Sequence, residues 1–80
     1  MKYTEKTKEG RLFNKMTADG TKIIDAFEVS SFEMLIFWQN SKGEYWTGFA
    51  VNGELTDIQI KHATRTKAHK YFYHENCFVN

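Results

Sequence analysis

The sequence predicts an α+β domain, an antiparallel β-meander of four to five strands with one C-terminal helix packed on one face. Three observations favour this fold. Residues 32–38 are apolar in both alternating sets of side chains apart from Glu33, which is typical of a central strand buried on both faces. Short polar loops at 40–43 and 52–53 connect this segment to two further strand-like segments. A stripe of apolar residues at helical spacing follows near the C-terminus.

The N-terminal residues are expected to supply the outer part of the sheet. Residues 2–8 are charged and alternate only weakly, which indicates a fraying arm or an edge strand. Residues 11–16 are predicted as a short strand with three apolar side chains, Leu12, Phe13 and Met16. Asp19-Gly20 is typical of a hairpin turn, because glycine adopts a positive φ without a Cβ clash. Residues 21–29 are predicted as the next strand, with Asp25 interrupting its apolar face.

Three neighbouring strands are predicted at 32–39, 44–51 and 54–61. A four-residue polar loop joins the first pair, and Asn52-Gly53, a strong signal for a type I′ turn, joins the second. Loops of these lengths place Trp38 opposite Tyr45, and Tyr45 opposite Ile60. The face expected to lie beneath the helix then gathers mostly apolar or β-branched side chains from all three strands: Phe32, Met34, Ile36, Trp38, Tyr45, Thr47, Phe49, Val51, Thr56, Ile58 and Ile60.

The same register predicts an apolar centre on the reverse face of the sheet. Its candidate protein-binding residues are Leu35, Phe37, Trp46 and Leu55. An apolar centre inside a polar rim is typical of a protein-binding site, and tryptophan is a frequent anchor there. Two alternatives would hide this face. Either the N-terminal hairpin covers it with its three apolar side chains, or two copies of the chain associate through it as a homodimer.

The last predicted element is a helix over residues 65–75. Ala68, Tyr71 and Phe72 form an i, i+3, i+4 stripe that suits a helix laid across the sheet. Thr64 or Thr66 can cap its start, because a threonine side chain accepts a hydrogen bond from a free backbone N–H. Two residues of the tail, Cys77 and Phe78, are expected to pack against the same core.

A basic run at 61–70 holds four permanent cations, two histidines and no acid. Its candidate anion- or nucleic-acid-binding residues are Lys61, Arg65, Lys67 and Lys70, with Tyr73 nearby for stacking. The phosphates of a nucleic acid or an acidic partner suit such a surface. The alternative is a solvated helix face without a ligand, since charge clusters of this size are common on helices.

The strand-strand-strand-helix order over residues 32–75, with Thr-Arg-Thr-Lys-Ala-His-Lys-Tyr-Phe at the start of the helix, resembles the arm-type DNA-binding domains of tyrosine recombinases. This resemblance implies DNA binding by that half of the chain. It rests on element order and on a helix pattern that many helices share. Those domains carry more basic strands, whereas the sheet here holds several acids, so the chain is not assigned to that family. The acids are Glu33, Glu44, Glu54 and Asp57.

Neither a metal site nor a catalytic set is predicted. His69, His74 and Cys77 are three candidate ligands, but the two histidines are five positions apart and nearly half a turn out of line. No serine or cysteine is expected to have a histidine and a carboxylate around it, and the glycines do not form a phosphate-binding loop. We therefore expect no cofactor and no enzymatic activity.

Length and charge set the remaining structural expectations. Eighty residues indicate a single domain over 1–80, and the one cysteine fits a reducing compartment. The absence of a long apolar run and of a signal-peptide pattern predicts a cytoplasmic protein with no membrane span. The net charge is only +1, but basic ends flank an acidic middle: +3 over 1–15, −5 over 16–60 and +3 over 61–80.

These features favour a protein that acts by occupying a surface. The leading expectation is a small non-enzymatic binding protein that engages a partner protein and modulates it, by inhibition, as accessory proteins of bacteriophages and mobile elements do. Phe37 and Trp46 would be its anchors. The alternative is a small nucleic-acid-binding module that uses the basic C-terminal helix.

Overall fold

The computed structural model describes residues 8–75, with side chains from residue 10 to residue 74. Its elements are, in chain order, helix α1 (Lys8–Ala18), strands β1 (Lys22–Glu28), β2 (Glu33–Gln39), β3 (Tyr45–Val51) and β4 (Glu54–His62), and helix α2 (Arg65–Lys70), which continues as a π-helical segment over Tyr71–Glu75. The strands form one antiparallel sheet in the order β1-β2-β3-β4, so the predicted α+β class is confirmed. No helix in the described range is both long and apolar enough to cross a membrane.

The segment predicted as an outer strand at 11–16 is helical, so that prediction is wrong. Leu12 and Met16 are about one helical turn apart and Phe13 flanks them, so the three side chains share one stripe of α1. Leu12 and Met16 are buried, and Phe13 is partly buried against the same core. Residues 2–7 of the expected arm or edge strand lie outside the described residues.

Asp19-Gly20 ends α1 instead of forming a hairpin. Gly20 has a φ of +86°, and its N–H donates to the Thr17 carbonyl at 3.0 Å. The Thr21 N–H donates to the Met16 carbonyl at 3.2 Å. These two bonds are the Schellman arrangement, which satisfies carbonyls at a helix C-terminus. The chain then enters β1, whose ends agree with the predicted strand to within one residue.

The loop between β2 and β3 overturns the predicted register. The Asn40 N–H donates to the Glu44 carbonyl at 2.9 Å, and the Gly43 N–H donates to the Asn40 carbonyl at 3.0 Å. Gly43 has a φ of +82°, so the connection is a three-residue loop with a glycine bulge rather than a four-residue loop. Trp38 therefore lies opposite Trp46, and this shift by one residue exchanges the predicted faces of β2.

The sheet consequently has an apolar core on each face. The core towards α1 consists of Leu12, Met16, Met34, Ile36, Trp38 and Ala50. The core towards α2 consists of Leu35, Phe37, Phe49, Ala68 and Phe72. Strand β2 contributes alternate side chains to both cores, and its Ile36 and Phe37 are fully buried. Its prediction as a central strand is confirmed, because β1 and β3 flank it.

The Asn52-Gly53 turn is confirmed, with φ values of +53° and +78° and with Val51 paired to Glu54. Beyond the turn β4 bulges opposite Phe49, whose carbonyl accepts a hydrogen bond from the Thr56 hydroxyl at 2.7 Å. The bulge changes the expected partner of Thr47 from Ile58 to Ile60. Because the shift is two residues, the faces of β4 are unchanged.

The helix predicted at 65–75 is confirmed as α2 and its π-helical continuation. Thr64 caps it, because the Thr64 hydroxyl oxygen accepts a hydrogen bond from the Lys67 N–H at 3.2 Å. Ala68 and Phe72 face the sheet, where the Phe72 ring lies 5.7 Å from that of Phe37, centroid to centroid. The expected packing of residues 77 and 78 lies outside the described residues.

Candidate functional site

The apolar surface predicted for a partner protein does not exist as one exposed face. Leu35 and Phe37 are 3% and 0% exposed and lie beneath α2 and its continuation. Trp46 and Leu55 are partly buried on the opposite face, against the core that α1 covers. The prediction of a shared surface is wrong because it used the register that the β2–β3 loop excludes.

The alternative interpretation identified the covering residues but not their secondary structure. Leu12, Phe13 and Met16 do cover the face that holds Trp46, from a helix rather than a hairpin. Trp46 stacks on Trp38, with ring centroids 6.3 Å apart and an interplanar angle of 6°. Its indole nitrogen is buried without a hydrogen-bond acceptor among the described residues. Trp46 is therefore a packing residue rather than an exposed anchor.

The basic helix presents its cations to solvent. Since Ala68 and Phe72 are buried against the sheet, the opposite side of α2 and its continuation points outwards. Lys67, Lys70 and His74 follow one another at i, i+3 and i+7 along that side, and all three are exposed. Arg65, also exposed, stands at the first position of the helix. The sequence from residue 58 to residue 74 contains no carboxylate side chain.

Lys61 lies outside this surface. It is paired with Trp46 across β3 and β4, and directly opposed residues share a face, so Lys61 points to the α1 side of the sheet. Its ammonium group makes an ion pair with Glu44, with Nζ and Oε2 2.5 Å apart. The hydrogen bonds from Lys61 and then Asn40 lower the pKa of the Glu44 carboxyl. Lys61 is therefore neutralised locally and separated from the cations of α2.

A cleft of about 360 Å³ lies between the end of β4 and the helix, lined by His62, Lys67, Lys70 and Tyr71. The His62 ring is held in place on two sides. Its Nε2 shares a hydrogen bond with the buried Thr47 hydroxyl at 2.9 Å, and its centroid lies 5.2 Å from that of Tyr71. Two lysines, a histidine and a phenol on one concave surface are suited to an oxyanion such as a phosphate group.

His62 and Tyr71 were missing from the predicted site. His62 belongs to the basic run, but its direction depends on the register of β4, which places it opposite Tyr45 on the α2 face. Tyr71 was assigned to the apolar stripe, and it is half-buried rather than buried. The alternation of β4, in which His62 follows Ile58 and Ile60 on one face, is the sequence signal that could have identified the cleft.

Tyr73 is on the exposed side of the π-helical segment, 40% exposed. Its hydroxyl donates a hydrogen bond to the Asp25 carboxylate on β1, and its ring packs edge-on against Phe72 with centroids 4.9 Å apart. Partial burial of the hydroxyl, followed by the bond to Asp25, raises the pKa of Tyr73 to about 12. The hydroxyl is thus engaged within the protein, and only the ring remains accessible for contact with a ligand.

Within residues 8–75, no group of three or more histidine, cysteine, aspartate or glutamate residues is arranged to hold a metal ion. The rings of His69 and His74 are 6.4 Å apart, centroid to centroid, and the third candidate ligand, Cys77, lies outside the described residues. The chain matches no family model, and no curated protein or solved structure shows significant similarity to it. A functional proposal therefore starts from the chemistry of the basic surface.

Proposed function

We propose that this chain is a small non-enzymatic protein that binds the phosphate backbone of a nucleic acid through the outward side of α2 and the adjoining cleft. The observation that carries the proposal is the segregation of charge. Arg65, Lys67 and Lys70 are exposed on a helix within a seventeen-residue stretch, 58–74, that has no carboxylate side chain. Exposed cations can displace the counterions of a nucleic acid, and this stretch of the sequence adds no negative charge that would repel its phosphates.

The geometry supports contact with successive phosphates better than contact with base edges. Lys67 and Lys70 line the cleft beside His62, while Arg65 stands at the first position of the helix, about half a turn before Lys67. Lysine side chains act on phosphate as flexible point charges, so they position a backbone without selecting a sequence. The accessible ring of Tyr73 adds a surface on which a base could stack. We therefore expect binding that depends strongly on salt and weakly on sequence.

The four residues predicted to anchor a partner protein lend no support to that function, because they are divided between two covered faces. The nucleic-acid proposal uses residues that remain exposed after folding. The competing interpretation is that the cations of α2 are only solvated and bind no ligand. The two differ in a measurable way, since a solvated helix has no affinity for nucleic acid at moderate salt.

The test is fluorescence anisotropy of a labelled DNA duplex, and of one of its strands alone, titrated with the protein at several salt concentrations. Three lysine or arginine contacts with a duplex predict a slope of about −3 for log affinity against log salt. The double variant Lys67→Ala/Lys70→Ala should lower affinity at least about tenfold and reduce that slope by about 2.

The matched control is Arg11→Ala/Lys15→Ala, which removes the same charge from exposed positions on α1, on the opposite face. It should bind nearly as well as the parent chain. No measurable binding by the parent protein would overturn the proposal. Equal weakening by the two double variants would also overturn it, because binding would then follow net charge rather than the α2 surface.

A further inference from the structure

Strand β4 forms one edge of the sheet and leaves apolar side chains uncovered. It runs for nine residues, and within residues 8–75 only β3 pairs with it, on one side. Ile58 and Ile60 are 52% and 37% exposed, on the face that α2 covers only in part. A long edge strand with exposed β-branched side chains is a template for pairing with another strand.

The backbone of β4 is directed to receive such a strand. The Asn52 N–H donates to the Phe32 carbonyl at 2.7 Å, which shows that the even-numbered residues of β3 direct their backbone groups towards β2. The odd-numbered residues, including Thr47, therefore face β4. Thr47 is opposite Ile60, so the backbone groups of Ile60 point towards β3. The backbone groups of its two neighbours, Gln59 and Lys61, therefore point in the opposite direction within the sheet plane, towards the open edge of β4.

The order of side chains along β4 is self-complementary about Gln59. Asp57 precedes Gln59 by two positions and Lys61 follows it by two, while Ile58 and Ile60 flank it. In an antiparallel pair of two β4 strands centred on Gln59, Asp57 of each copy lies opposite Lys61 of the other. Ile58 of each copy likewise lies opposite Ile60 of the other. Opposed charges and opposed β-branched side chains both stabilise cross-strand pairs.

We propose that β4 is the interface for a second copy of this chain, and that two copies join their sheets into one continuous eight-stranded sheet. The complementary charges of Asp57 and Lys61 identify a second copy of the chain as the binding partner. A slip of two residues in either direction loses both Asp57–Lys61 pairs, so only the register centred on Gln59 pairs these charges in both halves. The ion pair between Lys61 and Glu44 is compatible with this arrangement, because the ammonium group can bridge two carboxylates.

The two-fold axis of such a pair is perpendicular to the sheet, so the same face of each copy lies on the same side of the dimer. Both α2 helices then stand on one side, separated by four isoleucines, Ile58 and Ile60 of each copy. This arrangement packs those isoleucines against one another and brings the two basic surfaces to the same side of the dimer. The proposal does not depend on nucleic-acid binding, because the mass in solution is measured without a ligand.

The experiment is light scattering with size exclusion on the full chain over a range of concentrations. The parent chain should have twice its monomer mass of 9.4 kDa. In a dimer of the Asp57→Lys variant, a lysine at position 57 lies opposite Lys61 of the other copy. In a dimer of the Lys61→Asp variant, an aspartate at position 61 lies opposite Asp57 of the other copy. Each single variant should therefore associate at least about tenfold more weakly than the parent chain. Circular dichroism melting of each variant distinguishes lost association from lost folding.

The decisive measurement is an equimolar mixture of the two single variants. One variant is wholly basic and the other wholly acidic at positions 57 and 61, so the mixture should form a heterodimer although neither variant forms a homodimer. A parent chain that stays monomeric at every concentration would overturn the proposal. So would single variants that dimerise as well as the parent, or folded variants whose mixture stays monomeric.

Discussion

Gly48 lies directly against the indole of Trp38, so that a Cβ at position 48 would be 2.7 Å from Trp38 Cη2 and 2.8 Å from Cζ3. The two residues are on neighbouring strands, and Trp38 leans diagonally across the face of β3. Trp38 is only 5% exposed and its ring stacks on Trp46, so the indole has little room to move. Glycine is required at position 48 by side-chain packing rather than by its backbone conformation.

This contact predicts that Gly48→Ala destabilises the protein by overpacking, at a cost of about 1–3 kcal/mol in the free energy of unfolding. Urea denaturation followed by tryptophan fluorescence measures the change. The control is the same substitution in a Trp38→Phe chain, where the two clashing ring atoms are absent. The cost of Gly48→Ala should then fall by about 1 kcal/mol or more. An equal cost in both backgrounds would contradict the assigned contact.

Strands β2 and β3 also show how much of the fold and of the candidate site the sequence predicts. Segments 32–39, 44–51 and 54–61 were predicted as strands, and the structure has β2, β3 and β4 there. The faces of β2 were not predicted, because they depend on whether the loop begins after Gln39 or after Asn40. Asn40 pairs with Glu44 through one backbone hydrogen bond, from the Asn40 N–H to the Glu44 carbonyl, and the Asn40 side-chain oxygen accepts from the Glu44 N–H at 2.9 Å. A difference of one loop residue moves every side chain of β2 to the other face.

Helix α1 was missed for a different reason. The spacing of Leu12, Phe13 and Met16 fits a helical stripe, whereas a strand alternates and places only Leu12 and Met16 together. The Asp19-Gly20 pair is ambiguous, since glycine with a positive φ ends helices as well as forming hairpins. The basic helix was predicted more successfully, because its cap and its apolar stripe are local features. Lys61 was misplaced on its surface because its face depends on the strand register.

Phe72 anchors the basic surface to the sheet, so we expect its truncation to cause a large loss of stability. Phe72 is 3% exposed and contacts Phe37, the largest fully buried side chain. Phe72→Ala should lower the free energy of unfolding by about 3–5 kcal/mol, because it leaves a cavity beneath the helix. Thermal denaturation by circular dichroism measures it. His74→Ala, two residues on and exposed, should change stability by less than about 0.5 kcal/mol. Similar losses for both variants would show that Phe72 does not anchor the segment.

The hydrogen bond between Tyr73 and Asp25 predicts a loss of stability in alkaline solution. The pKa of Tyr73 is raised to about 12 in the folded chain, whereas that of a tyrosine in the unfolded chain is about 10. The folded state therefore holds the phenolic proton more tightly, and this contribution is complete below pH 10 and disappears as the pH rises towards 12. Phenolate absorbance should show a late titration step from Tyr73. Tyr73→Phe should remove that late step and reduce the alkaline loss of stability. If the variant instead loses a tyrosine that titrates near pH 10, the Asp25 bond does not hold the proton.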